Sequence, residues 1–184
     1  MKFKKLFFVI VFAAISSAVY SQIIADQESK FVNLGLGIGS NLYSGRYYTG
    51  QVPPITASFE YIIKDELFDE NSSFGVGGYL GYTSYKYSYS GWGWKYSSIV
   101  IGPRGNVHYQ FIEDMDTYTG LLLGYNILSS SFTGTGTNYN NASSGGFAFS
   151  WFVGGRYFFS DNLAAMAELG YGVTYLNVGV CFSL

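Results

Sequence analysis

The feature of this sequence that most limits its fold is a repeated alternation of apolar residues with small or polar ones. In the segment Leu34-Gly35-Leu36-Gly37-Ile38, for example, every second residue is apolar and glycine stands between. Successive side chains of a strand point to opposite faces, so a period of two predicts strands with one apolar face. Eight segments of the sequence have this period, and no segment has the period of an amphipathic helix. The predicted strands are 32–39, 55–61, 74–82, 99–111, 119–125, 147–159, 165–171 and 176–184.

The composition indicates which solvent the apolar faces meet. Only 12% of the residues are charged, whereas 48% are hydrophobic and 20% aromatic. An ordinary soluble domain carries about 25% charged residues. The faces opposite the apolar ones hold mostly Gly, Ser, Thr and Ala, which suit the crowded interior of a narrow barrel. A lipocalin-like barrel and an immunoglobulin-like sandwich both need a charged exterior, so we interpret the apolar faces as lipid-facing.

The first residues are typical of an export signal. Three lysines among the first five residues precede the apolar run 6–14, and small residues follow it as far as Ser21. A positive segment, an apolar segment and a small-residue segment in this order indicate a signal peptide. The apolar run is shorter than the ~20 residues that a spanning helix needs, which disfavours a retained anchor. We expect residues 1–21 to be a cleaved signal peptide and residues 22–184 to be one barrel domain.

The connections between the predicted strands are of two kinds. Those after the first, third and fifth strands are long and rich in Gly, Ser, Thr, Asn and Tyr, at 40–52, 84–95 and 128–146. Those after the second, fourth and sixth are acidic, at 64–73, 112–116 and 160–163. Long loops at one end and acidic turns at the other are typical of an outer-membrane barrel with periplasmic turns. We expect the acidic residues of these connections, Asp116 among them, to lie in the turns.

Two segments resemble the small outer-membrane β-barrel family of the OmpX/OmpA-like type. They are 101–109, IGPRGNVHY, and 154–172, GGRYFFSDNLAAMAELGYG. The resemblance extends over essentially the whole mature chain. It implies an all-β fold, an eight-stranded antiparallel up-and-down transmembrane β-barrel, inserted by the outer-membrane assembly machinery. In that family the machinery recognises an alternating last strand, here 176–184, which ends in Leu184 instead of the usual aromatic residue.

Five titratable residues lie on the inward face if the apolar residues face lipid. Pairing Phe159 with Ala165 across the sixth turn would place Arg156 directly opposite Glu168, where the two charges neutralise each other. One interpretation of these residues is a plug that fills the lumen, and the other is a gate or proton pathway. An eight-stranded barrel is just wide enough for its side chains, so passage of small solutes is the alternative to a filled lumen. The predicted lumen network is Glu60, Arg104, His108, Arg156 and Glu168.

The sequence predicts neither catalysis nor a cofactor. His108 is the single histidine, and the residues two positions away are Asn106 and Gln110 instead of the serine that a hydrolytic arrangement would use. Cys181 is the single cysteine, so we expect no disulfide and no metal site. The glycines near residue 37 alternate as in a strand and do not form a phosphate loop.

The long loops carry cations and aromatic residues. Arg46, Lys86 and Lys95 are candidates for contact with the phosphates of lipopolysaccharide, the alternative being ordinary solvated charge. The loop tyrosines and tryptophans form either an adhesive rim or an interfacial girdle on strands that extend beyond the membrane. The alternation of residues 84–89 indicates that the third strand projects above the bilayer. We therefore expect a monomer of the cell outer membrane that contacts lipid, does not bind nucleic acid, and has a structural or surface-interaction role. The loop aromatic residues are Tyr43, Tyr47, Tyr48, Tyr85, Tyr87, Tyr89, Trp92 and Trp94.

Overall fold

The computed structural model describes residues 25–42, 48–89, 92–133 and 142–184 of the 184-residue chain. The predicted signal peptide lies outside these residues. In the described part of the chain, no helix is long and apolar enough to cross a membrane. The strands are β1 (Lys30–Ile38), β2 (Tyr48–Asp65), β3 (Ser72–Tyr89), β4 (Trp92–Ile112), β5 (Met115–Thr133), β6 (Ala142–Ser160), β7 (Leu163–Tyr171) and β8 (Leu176–Ser183).

The strands form a closed antiparallel barrel. Each strand pairs with its sequence neighbour, and β8 pairs with β1 to close the ring. All segments predicted from the period of two lie in strands or at their ends. Closure leaves the membrane-spanning part of the sheet without unpaired edges, which a barrel in lipid requires. The predicted eight-stranded up-and-down architecture is confirmed.

The exterior of the barrel is apolar and the interior is polar. Along β6, exposed and buried residues alternate from Phe147 to Ala148 and onward to Phe159. Leu121 is 48% exposed and Trp151 50% exposed, whereas the side chain of Arg156 is fully buried inside. This arrangement is the reverse of a soluble protein and is that of a transmembrane barrel.

The two ends of the barrel differ. At one end, here called the turn end, the connections are short, at 66–71, 113–114 and 161–162. At the opposite end, the loop end, β3 and β4 stay paired without interruption as far as Tyr89 and Trp92. The connection predicted at 84–95 is therefore wrong for most of its length, whereas the continuation of the third strand through 84–89, which the alternation there indicates, is confirmed. The stacked rings of Tyr85 and Tyr96, with centroids 5.1 Å apart, join the two strands there.

The strands at the loop end form what we call the projecting sheet, residues 84–89, 92–97, 128–133 and 142–146. The predicted loops 40–52 and 128–146 are also shorter than expected, since β2 begins at Tyr48, β5 continues to Thr133 and β6 begins at Ala142.

In contrast, β7 ends at Tyr171, opposite Trp151. Among the described residues, none pairs with residues 142–150 on the side of β6 that faces β7, so this part of β6 is a strand edge.

Candidate functional site in the barrel lumen

The charged residues of the lumen lie between two apolar clusters. Along β6, Arg156 is situated between Phe158 and Phe152, whose side chains are both buried inside the barrel. The same arrangement occurs on β2, where Glu60 lies two residues farther from the turn end than the buried Ile62. The cluster near the turn end consists of Ala25, Phe31, Ile62, Phe158, Ala164 and Cys181. The cluster toward the loop end consists of Tyr79, Val100, Tyr118, Leu122, Ala148, Phe152 and Val173.

Arg156 is the centre of the network. Its Nη1 donates to Oδ2 of Asp116 at 2.9 Å, and its Nη2 donates to Oε2 of Glu60. Its Nε donates to Oδ1 of Asn33 at 3.1 Å. All three nitrogens of this fully buried guanidinium therefore have an acceptor, and two of the acceptors are carboxylates. Such charge-assisted bonds are stronger than neutral ones, which offsets part of the cost of burying the charge.

His108 bridges the same two carboxylates. Its Nδ1 lies 2.9 Å from Oδ1 of Asp116, and its Nε2 lies 2.8 Å from Oε1 of Glu60. A carboxylate can only accept, so both ring nitrogens donate and the imidazole carries a positive charge. Asn106 also donates to Oε1 of Glu60 through its Nδ2. Glu60, a residue of β2, thus accepts hydrogen bonds from two other strands, β4 and β6, and links all three.

A second ion pair lies nearer the loop end. Nη2 of Arg104 donates to Oε1 of Glu168 at 2.8 Å. The hydroxyl of Tyr118 donates to the same oxygen at 2.9 Å, and Nδ2 of Asn177 donates to Oε2 at 3.0 Å. Nη1 of Arg104 reaches Oγ of Ser58 at 3.3 Å. With Arg104, Arg156 and protonated His108 against Glu60, Asp116 and Glu168, the buried charges of the described lumen sum to zero.

Aromatic rings cover the faces of both guanidinium groups. The Cζ atom of Arg156 lies 4.5 Å from the ring centroids of Phe31 and Tyr118. That of Arg104 lies 4.3 Å from the ring centroid of Phe152. A cation over an aromatic face is attracted by the ring quadrupole, the more so where water is excluded. The inward phenylalanines therefore belong to the same unit as the charges.

The structure brings together all five residues of the predicted lumen network, but the expected pair of Arg156 with Glu168 is wrong. In the β6–β7 ladder, Arg156 lies opposite Met166, and Glu168 lies opposite Gly154. The hairpin closes on the two residues 161–162, and a bulge between Phe158 and Ser160 shifts the register by one more residue. Ala165 therefore pairs with Tyr157, two residues from the predicted partner Phe159. Glu168 consequently meets Arg104, a residue of β4 on the far wall of the lumen.

Asp116 belongs to the lumen network, and its predicted place in a turn is wrong. It does not lie in the turn but on β5, opposite Arg156, with 1% of its surface exposed. Its position shortly after Glu113 and Asp114 favours a turn. The available signal was parity, since Asp116 has the same parity as the inward glycine Gly120. Five further buried partners were also missed, namely Asn33, Ser58, Asn106, Tyr118 and Asn177.

The cations predicted for the outer loops are separate from this network. Arg46 lies outside the described residues, as do Tyr43 and Tyr47. Lys86 on β3 is half-buried and Lys95 on β4 is exposed, and the two lie directly opposite each other in the projecting sheet. Within the described ranges, no group of three or more His, Cys, Asp or Glu side chains is arranged to hold a metal ion.

The closed barrel, its apolar exterior and its paired interior charges define a small transmembrane β-barrel. Its fold is similar to that of the N-terminal β-barrel domain of Pseudomonas aeruginosa OprF, at 16% identity and a TM-score of 0.46, over 86% of this chain and 98% of that domain. It is also similar to a de novo designed transmembrane β-barrel, at 17% identity and a TM-score of 0.46, over 86% and 98%. A third similar structure is Ail, the attachment invasion locus protein of Yersinia pestis, at 18% identity and a TM-score of 0.44, over 86% and 95%. No protein-family model matches the chain, and no curated protein matches it.

Proposed function

We propose that the chain is an integral protein of the bacterial outer membrane, exported by a cleaved signal peptide, with a structural or surface-interaction role. The observation that carries this proposal is the apolar outer wall of a closed barrel whose strands extend beyond that wall at one end. A barrel of this kind is stable in lipid, and its loop end faces outward when short turns face the periplasm. The acidic turns and the outward lysines are in keeping with that orientation.

The projecting sheet supports the surface-interaction role. β4 has 21 residues, whereas a tilted strand needs only about 9–11 to cross a bilayer. The excess is at the loop end, where β6 offers a strand edge and Phe147 is 74% exposed. A free edge can accept the main chain of an extended partner segment, which gives affinity without requiring a particular sequence.

A filled lumen supports a role without transport. The charges of Arg104 and Arg156 are paired inside the lumen, and apolar clusters lie on both sides of them. The space beside Arg104 and Phe152 is a cavity of about 10 Å³, the room of a single water molecule. Both ring nitrogens of His108 are hydrogen-bonded to carboxylates, so neither is available to a substrate. Because a catalytic base must reach its substrate, this contact supports a protein without catalytic activity.

The barrel is tested by its resistance to detergent. Protein refolded into detergent micelles should migrate faster on a gel when it is not boiled, because a closed barrel does not bind denaturing detergent until heat unfolds it. The measurement is gel mobility with and without boiling, with unfolded protein as the control. Identical mobility in both samples would contradict the proposed transmembrane barrel.

The surface-interaction role is tested by shortening the projecting sheet. Residues 86–95 are replaced by Asn-Gly, a two-residue hairpin turn that can join Tyr85 to Tyr96. We expect cells that display this variant to lose most of their attachment to a hydrophobic solid surface. The matched control is Phe68→Ser, which removes a side chain 76% exposed at the turn end and should leave attachment unchanged. If cells with the wild type, the shortened variant and the Phe68→Ser variant attach equally well at equal amounts of surface protein, the proposed surface-interaction role is wrong.

The alternative function, a narrow channel for small solutes, is tested by conductance. We expect no steady current steps from the refolded protein in a planar bilayer, because paired charges and apolar layers obstruct the lumen. The measurement is single-channel recording, with a porin of known conductance as the positive control. Reproducible steps that depend on the amount of folded barrel would favour the channel over the filled lumen.

A further inference from the structure

We propose that Lys86 and Lys95 together bind phosphate groups of lipopolysaccharide on the outer wall of the projecting sheet. The inference rests on the proposed outer-membrane location and names a partner for its outer surface. It assigns this contact to one cross-strand pair of side chains. The ligand chemistry is a phosphorylated, membrane-anchored sugar lipid.

The two lysines form a like-charge pair in the sheet. They are direct partners in the β3–β4 ladder. Like charges opposite each other on neighbouring strands destabilise a sheet, and an anion bound between them would relieve this repulsion. The five ion pairs found among the described residues involve neither lysine. The described acids lie near the turn end or inside the lumen, and none is available to this pair.

The pair faces the lipid side of the barrel wall. Lys95 has the same parity on β4 as Ile99 and Ile101, which are 40% and 53% exposed. Lys86 has the same parity on β3 as Tyr82, which is 37% exposed. Both charges therefore project from the face that meets lipid farther down the barrel, and not from the face that continues the lumen.

The height of the pair matches the polar layer of a membrane. Lys95 lies four residues beyond Ile99, and Lys86 lies four residues beyond Tyr82. Four residues span about 13 Å along a strand, which is about 10 Å of height at the usual tilt of a barrel strand. A lysine can extend its stem along the wall and place its ammonium group several ångströms from its Cα atom. The ammonium groups can thus reach phosphates at the membrane surface.

Lipopolysaccharide fits this site better than an ordinary phospholipid. With turns in the periplasm, the loop end meets the outer leaflet, where lipopolysaccharide presents phosphates at the surface. Its headgroup offers more than one phosphate, which suits two adjacent cations, whereas a phospholipid offers one. Ser131, the partner of Lys95 on β5, adds a hydroxyl beside the pair that can donate to a phosphate or sugar oxygen.

The test compares two double variants that remove the same charge. Lys86→Gln with Lys95→Gln removes the proposed site, and Lys30→Gln with Lys64→Gln removes two exposed cations at the turn end. Each protein is refolded in an uncharged detergent, and its affinity is measured for fluorescent lipopolysaccharide, for the same lipid after enzymatic dephosphorylation, and for phosphatidylglycerol. Gel mobility without boiling establishes beforehand that each protein forms a barrel.

We expect the K86Q/K95Q variant to bind lipopolysaccharide about 30-fold more weakly than the wild type, since each lysine near an anionic surface contributes about 1 kcal/mol. The K30Q/K64Q variant should bind like the wild type. Dephosphorylation should weaken binding to the wild type by a similar factor and leave the K86Q/K95Q variant unaffected. Equal affinities of the two variants, or equally tight binding of dephosphorylated lipid or phosphatidylglycerol, would overturn the proposal. Failure of the wild-type protein to form a barrel would instead contradict the proposed function.

Discussion

Replacing Arg156 with methionine should lower the free energy of unfolding by about 3–5 kcal/mol, the cost of breaking a buried ion pair from one side. Methionine fills a similar volume but leaves the two carboxylates of Glu60 and Asp116 with His108 as their one shared cation, in a site closed to water. It also removes the donor to Asn33. The measurement is equilibrium urea unfolding of the barrel in lipid vesicles, followed by tryptophan fluorescence.

Two further variants separate this effect from loss of an ordinary surface charge. Lys64→Met removes an exposed cation at the turn end and should change stability by no more than about 0.5 kcal/mol. Adding Glu60→Gln to R156M removes one of the stranded carboxylate charges and should recover part of the lost stability. If R156M unfolds at the same urea concentration as the wild type, the network does not stabilise the barrel.

The strands could be predicted because their signal is local. A period of two is visible in a few consecutive residues. Whether a face meets lipid or the lumen follows from the kind of residue that lies on it. The same parity placed Glu60, Arg104 and His108 in the lumen. For Asp116 the parity was equally clear, but its position after two turn acids suggested a turn residue.

The partners inside the lumen could not be predicted because they depend on register between strands. The two-residue turn and the bulge together place β7 two positions away from its predicted pairing with β6. Every inward residue of β7 then lies opposite a different neighbour from the predicted one. Contacts across the lumen, such as Arg104 with Glu168, depend in addition on the stagger of all eight strands. No short segment of sequence contains that information.

The ends of the long strands could be predicted only in part. The segment after Thr83 is rich in Ser, Tyr and Lys, a composition that favours a loop, yet its alternation continues through Tyr85 and Tyr87. What keeps it in the sheet is contact between strands, as in the pair of Trp94 with Phe132, whose ring centroids are 5.4 Å apart. Such cross-strand pairs become visible only once the register is known.

The glycines of β3 make room for the charged side chains. Glu60 lies opposite Gly77, and a Cβ atom built on Gly75 would lie 2.5 Å from Oε1 of Glu60. The carboxylate thus occupies space that a larger residue on β3 would fill. Part of the glycine content of the sequence is therefore a requirement of the buried network, because eight strands enclose little room.

Replacing Gly77 with alanine should consequently destabilise the barrel by about 3 kcal/mol, at the upper end of the range for overpacking. The added Cβ atom would overlap the carbonyl oxygen of Phe59 and would lie 2.9 Å from the Cα atom of Glu60. Both are backbone atoms, so the clash can be relieved only by moving β2 away from β3. The measurement is again urea unfolding in vesicles.

The adjacent residue supplies the matched control. A Cβ atom on Gly78 would meet no atom within 4 Å, so Gly78→Ala adds the same methyl group one residue farther along the same strand without a clash. It should change stability by no more than about 0.5 kcal/mol. Because the two variants share strand, chemistry and change in β propensity, their difference measures the lack of space inside the lumen wall. Equal stability of G77A and G78A would mean that β2 and β3 separate at little cost, and that the close packing around Glu60 does not constrain the barrel.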